Sequence, residues 1–217
     1  MTTVYIIRHG KVVFPRDSEG QGLMYPPETR LSEEGLKGIE NLAAHLKEKG
    51  VRFDCIETSP FVRAEQSAAI LARVLGTEEM VLNSAFQDPH VPGWIGKPIA
   101  EQQELMAKGE DLYMHKRSED QETYVQVIKR ADEGFRNLVK RNEGRTVALV
   151  SHGDIIRLIL YRLENPEGEV PNMSVLNDKE YLQRGEALRL RFDERLRMIE
   201  KKRIPEEEGV RGERETL

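Results

Sequence analysis

Cysteine is almost absent, with Cys55 standing alone among 217 residues. A lone thiol cannot close an internal disulfide, which points to a reducing compartment. Its neighbours, Phe53-Asp54-Cys55-Ile56, read as a strand. A buried, inert thiol is expected there rather than a nucleophile. The chain also lacks any run near the ~20 apolar residues that a membrane-spanning helix needs. Its opening, Met1-Thr2-Thr3-Val4-Tyr5-Ile6-Ile7, is apolar but short. It has neither the positive leader nor the cleavage site of a secretory signal. A cytoplasmic protein with no membrane partner is the expectation. Positive charge is not in excess, since 33 Lys and Arg face 38 Asp and Glu, for a formal net charge of −5. That argues against nucleic acid as a partner of the whole molecule, while leaving room for a local basic pocket.

What is present is the composition of a globular protein, 33% charged and 38% hydrophobic. The length suffices for one sizeable core. Val4-Tyr5-Ile6-Ile7 reads as a strand buried on both faces, as in a parallel sheet. Residues 11–31 carry Pro15, Gly20, Gly22, Pro26 and Pro27 and read as a long loop. Ser32 then caps a helix, with Leu31 and Leu36 as its hydrophobic staple. Leu36, Ile39, Leu42, Ala43 and Leu46 form its buried stripe. A short strand at 53–57 leads to Ser59-Pro60, read as N-cap and first residue of a helix that stops at Gly76. A strand near 80–82, a loop at 84–98 and a helix at 121–141 follow. Thr146-Val147-Ala148-Leu149-Val150 repeats the opening pattern and leads into another helix. Further short strands are predicted near 174–177 and 187–192. The order gives one α/β domain over 1–200, with loops 11–31 and 84–98, and part of 99–120, as covers for a site. Residues 201–217 read as a charged, disordered tail, and no surface stands out as an interface, so monomer and homodimer both stay open.

The chemistry lies where apolar strands end. His9-Gly10 and His152-Gly153 each follow such a strand. If the strands are parallel neighbours, both imidazoles emerge at one sheet edge, where α/β folds bind ligands. Two unrelated strand-end histidines are the alternative. Arg8 precedes the first histidine, and Arg63 falls in the first turn of a helix. A cation is poorly placed against the positive end of a helix dipole, and a bound anion would relieve that conflict. A solvent-exposed arginine is the other reading.

The triplet Arg8-His9-Gly10 after an N-terminal strand is similar to the signature of the histidine phosphatase superfamily, the phosphoglycerate mutase-like proteins. Ser59-Pro60-Phe61-Val62-Arg63-Ala64-Glu65 resembles the segment that carries that family's second phosphate-binding arginine. Ser151-His152-Gly153-Asp154 resembles its second histidine block, and Asn172-Met173-Ser174-Val175 a later strand start. The matches come in order and span roughly residues 3–192. The resemblance implies a three-layer α/β/α fold with a mostly parallel central sheet. It implies His9 as a nucleophile that becomes phosphohistidine, with Arg8, Arg63 and His152 around the phosphoryl group. The backbone near Gly10 and Gly153 is expected to assist, and a backbone carbonyl to fix the His9 tautomer. No cofactor is implied. A metal is not expected, because two guanidiniums beside a dication repel it.

An alkyl phosphate needs a proton donor for its leaving oxygen. Trp94 and Gly96 align with a stretch that follows a glutamate in many relatives, and they place Asp88 where that glutamate stands. Asp88 is the expected donor. His90 is a rival, and a turn role before Pro89 is a third reading. Lys11 departs from the acidic or polar residue common after the glycine and would favour an anionic substrate if it points inward. Arg16, Tyr25, Arg30, Lys97 and Arg117 are candidate contacts to the rest of a substrate, or ordinary surface residues. The expected activity is hydrolysis of a phosphorylated small molecule. The alternatives are a 2,3-bisphosphoglycerate-dependent mutase, a protein phosphohistidine phosphatase, or a non-catalytic phosphate binder on the same fold.

Overall fold

A computed structural model of the chain describes residues 1–110, 113–169 and 181–204. Strands β1 (Thr2–Arg8), β2 (Cys55–Thr58), β3 (Met80–Leu82), β4 (Thr146–Ser151), β5 (Ala187–Phe192) and β6 (Met198–Ile204) form one sheet. Their order is β3-β2-β4-β1-β5-β6. The first four strands run parallel, and β5 pairs antiparallel with both β1 and β6. Helices α1 (Glu33–Glu48), α2 (Val62–Leu75), α3 (Ile99–Ala107), α4 (Tyr124–Arg141) and α5 (Gly153–Glu164) complete the fold. Among the described residues, no helix is long and apolar enough to cross a membrane.

The period of two along each strand builds the layers. Val4, Ile6, Val147 and Leu149 join the core under α4 and α5. Tyr5, Ile7, Ala148 and Val150 join the core under α1 and α2. Both faces are covered, which explains why β1 and β4 read as unbroken apolar runs. This is the expected three-layer α/β/α arrangement. Ile7 pairs with Val150 and Arg8 with Ser151. The residues that follow, His9 and His152, therefore leave the sheet side by side.

Ser32 caps α1 as expected, accepting the Gly35 N–H at 3.0 Å. Leu36, however, is exposed, and neither the staple nor the stripe includes it. Gly35 takes the buried place instead, because α1 lies against the chain just after β1. A Cβ on Gly35 would sit 1.9 Å from the Lys11 carbonyl oxygen. That contact turns Leu36, one step around the helix, toward solvent. The second helix also starts later than Ser59-Pro60: Phe61 is its N-cap. Ser59 still belongs to the sheet edge, its N–H bonded to the Val150 carbonyl at 3.0 Å.

The chain from 201 is not all tail, since β6 continues to Ile204 as an edge strand. Its charges are partnered: Glu200 bonds Arg189, Lys201 bonds Glu164 and Arg203 bonds Glu186. Charged edge strands are a common guard against unwanted pairing, and their composition hides them from a hydrophobic pattern. The strand predicted near 174–177 and the segment Asn172–Val175 lie outside the described residues, as do 205–217. The two predicted cover loops are joined to each other. The Met24 N–H donates to the Lys97 carbonyl and the Gly96 N–H to that of Met24, each at 2.8 Å.

The pressed contact at Gly35 has a direct test. Gly35→Ala is expected to cost about 3 kcal/mol or more by overpacking. Gly38→Ala, where a Cβ meets nothing within 4 Å, should be neutral or gain up to ~1 kcal/mol of helix stability. Urea denaturation of both variants measures the contrast, and equal effects would contradict the packing described.

Candidate active site

The parallel register brings together the four groups that the sequence singled out. The rings of His9 and His152 meet edge to face with centroids 5.2 Å apart. His9, His152 and Arg63 are 1–2% exposed and Arg8 6%. Arg8, His9, Arg63, Asp88 and Gly153 line one cavity of about 440 Å³. Of the two readings of Arg63, the solvent-exposed one is excluded.

The hydrogen bonds fix much of the chemistry. Nδ1 of His9 lies 2.8 Å from the Gly10 carbonyl oxygen. A carbonyl only accepts, so Nδ1 carries the proton and Nε2 keeps its lone pair. Nε2 of His152 lies 2.7 Å from Ser59 Oγ, and Nδ1 lies 3.3 Å from Asp88 Oδ2 without a hydrogen-bonding geometry. Arg8 Nη1 donates to the Leu182 carbonyl at 2.7 Å, and its guanidinium stacks 4.7 Å from the Tyr181 ring centre. Arg63 Nη2 donates to Asp88 Oδ2 at 2.8 Å, with the rings of Tyr25 and Phe61 each 5.0 Å away. The Nε of each of these arginines is buried with no partner among the described residues. Buried donors of this kind call for an acceptor, and a tetrahedral oxyanion supplies several at once.

The sequence matches the histidine phosphatase superfamily (branch 1) over residues 4–179. The chain belongs to that family. It is 24% identical over 182 residues to a metal-independent phosphoserine phosphatase of Arabidopsis thaliana, covering 81% of this chain and 75% of that one. It is 24% identical over 185 residues to a broad-specificity phosphatase of Saccharomyces cerevisiae, covering 80% and 75%. The fold is similar to that of YhfR from Bacillus stearothermophilus, with a TM-score of 0.73 at 20% identity over 91% of this chain and 94% of that one.

Other assignments need correcting in this histidine phosphatase. Lys11 points away from the cavity and pairs with Glu34 at 2.8 Å. The Gly10 N–H is spent on Ser67 Oγ at 3.1 Å, so Gly10 serves through its carbonyl, not as an anion donor. Gly153 does line the cavity, and glycine is required there: a Cβ would lie 2.2 Å from the Tyr181 hydroxyl and 2.9 Å from Arg8 Cζ. Asp88 faces the site, whereas His90 is exposed at the cavity wall. Tyr25 lines the cavity; Arg16, Arg30, Lys97 and Arg117 do not. Cys55 is buried in β2 with its thiol pushed up to about 12 by burial and by Glu79, and is thus inert.

Sequence reasoning missed the support of Asp88. Arg130, on α4, donates through Nη1 to the carbonyls of Ala85 and Gln87, each at 2.9 Å. It also grips both carboxylate oxygens of Glu122 at 2.8 Å. Glu122 in turn accepts the His90 N–H at 2.9 Å. This pair pins the loop on either side of Asp88. The charged face of a helix gave no hint of it. Asp154 and Tyr181 were also missed, and the tyrosine hydroxyl donates to Asp154 at 3.1 Å.

Burial first, then the charges of His152, Arg63 and Arg8, hold His9 well below the usual histidine range. Burial first, then Arg63, Arg8 and Arg130, does the same for His152. Both rings are therefore neutral. Asp154 is pushed up to about 6, mainly by desolvation and then by Asp88.

Stability follows with a defined sign. Below the ordinary histidine value of 6.5 the unfolded chain takes up protons that the native histidines refuse. Stability is thus present above that value and lost as the pH falls below it, by at most about 1.4 kcal/mol per pH unit for each ring. Asp154 opposes this between 3.8 and about 6, because its native carboxyl keeps a proton that the unfolded one has lost. Urea midpoints should drop as the pH is lowered from neutral, and Asp154→Asn should steepen the drop below about pH 6. A flat profile from neutral to that point would mean that the histidines are charged in the native state.

Proposed function

We propose that the chain hydrolyses phosphomonoesters of small molecules through a phosphohistidine on His9. The observation that carries this reading is the bond from His9 Nδ1 to the Gly10 carbonyl, which leaves Nε2 as the nucleophile beside two buried guanidiniums. The relatives' names, a phosphoserine phosphatase and a broad-specificity phosphatase, support the reaction class.

Asp88 occupies Arg63 in the free protein. An arriving phosphate dianion competes for the same guanidinium and releases Asp88, whose carboxylate takes up a proton from solvent before the transfer step. The Nε2 lone pair of His9 then attacks phosphorus as the bond to the leaving oxygen breaks. Asp88 gives that oxygen its proton, and the alcohol departs. Arg8, Arg63 and His152 face the charge on the equatorial oxygens. In the second half, the Asp88 carboxylate takes a proton from water as its oxygen attacks phosphorus. The P–N bond breaks, phosphate leaves, and neutral His9 returns. His9 needs no deprotonation at the start of the cycle, because burial already keeps it neutral.

Rapid mixing with p-nitrophenyl phosphate should release nitrophenol with acid-labile phosphate on the protein, and His9→Ala should abolish both. Asp88→Asn should lower kcat/KM on an alkyl phosphate by about 10²–10⁴-fold. On p-nitrophenyl phosphate, whose leaving group needs little help, the loss should stay under roughly tenfold. Equal losses on both substrates would remove Asp88 as the proton donor.

A further inference from the structure

The cavity is much larger than a phosphoryl group, and its far side has a different chemistry. From Pro89 to Tyr124, the described residues that line it include no Lys, Arg, Asp or Glu. Val91, Ile95, Ile99, Met106, Tyr113 and Tyr124 give this wall its apolar surface, with His90, Gln102 and Gln103 as its other polar side chains. Phe14, Met24 and Tyr25 face the same cavity from the 11–31 loop. The remaining charged side chains of the lining, Asp154, Arg157 and Arg184, come from α5 and from the chain just before β5, not from this wall. Arg157 lies in the second turn of α5 and stacks on Tyr181. Arg184 stacks on Phe14 and precedes Gly185, whose N–H is bonded to the carbonyls of Arg8 and His9.

Helix α3 gives a second, independent sign. None of its residues is fully buried, although it carries Ile99, Leu105 and Met106. Leu105 packs against the core, while Ile99 and Met106 face the cavity. A helix held this lightly gains its missing apolar contacts from whatever fills the cavity. An ester body with an ammonium or carboxylate would leave those charges desolvated against this wall. An alkyl or aromatic body would bury apolar surface on both sides.

Resting on the phosphohistidine reading above, we propose that the substrates are phosphomonoesters with an extended apolar body, not amino-acid or sugar-acid phosphates. The body lies between α3 and the 11–31 loop, with its phosphoryl group at His9.

Ethyl, butyl and hexyl phosphate test this, because their alkoxide leaving groups are nearly equally basic and only the body changes. The expected result is a kcat/KM that rises about three- to fourfold per methylene, with O-phosphoserine no better than ethyl phosphate. The double variant Ile99→Asn/Met106→Gln should lower the gain per methylene toward unity. A flat series in the natural protein overturns the proposal. So does O-phosphoserine outpacing butyl phosphate, or turnover of p-nitrophenyl phosphate with none of any alkyl ester. The series in the natural protein decides the matter if the double variant does not fold. Absence of acid-labile phosphate with every substrate overturns the underlying reading instead.

Discussion

Two guanidiniums sit inside this protein at the carboxyl end of its sheet, and a buried cation has to be answered by an anion. Leaving one unanswered costs several kcal/mol. Arg63 finds its answer in Asp88, while among the described residues Arg8 donates to the Leu182 carbonyl and stacks on the face of Tyr181, with no carboxylate in direct contact. The same two charges, after burial itself, keep both histidines neutral. A single arrangement therefore creates a demand for an anion and, on the proposed mechanism, prepares His9 to attack it. The fold supplies the cost of holding cations there: β1 and β4 are buried on both faces, and their register is fixed by six residue pairs.

Asp88 links this demand to turnover. On the proposed mechanism its carboxylate is a stand-in anion that a substrate displaces, and displacement frees it to serve as the proton donor. For that exchange to be local, the loop around it must stay in place. Arg130 on α4 and Glu122 just before that helix do this, bonding the backbone on both sides of Asp88. The loop that carries Asp88 is thus anchored to the core, while the carboxyl itself is left to move between partners.

Much of this was legible in the sequence because it is written in strand ends. An apolar run followed by His-Gly occurs twice, and a parallel sheet turns that repetition into adjacency. The Ser32 cap and the apolar faces of the helices were legible for the same reason: periodicity reports burial. What escaped is what periodicity does not encode. Leu36 lost its buried place to Gly35 because of one backbone contact with Lys11. β6 escaped because an edge strand with four consecutive charged residues, Glu200 to Arg203, reads as tail. Arg130 escaped because its partners are backbone carbonyls more than 40 positions away, which no local pattern reveals. Lys11, which follows the His9-Gly10 pair, was a candidate substrate contact if it pointed inward, yet its side chain goes to Glu34.

Calorimetric titration of orthovanadate tests the central claim most directly, since it reads the anion demand of the buried cations without any chemistry. The natural protein should bind one equivalent, Arg63→Gln should bind at least about 100-fold more weakly, and Asp88→Asn should bind as tightly or more so. Unchanged affinity in Arg63→Gln, or a loss in Asp88→Asn as large as that in Arg63→Gln, would contradict the account.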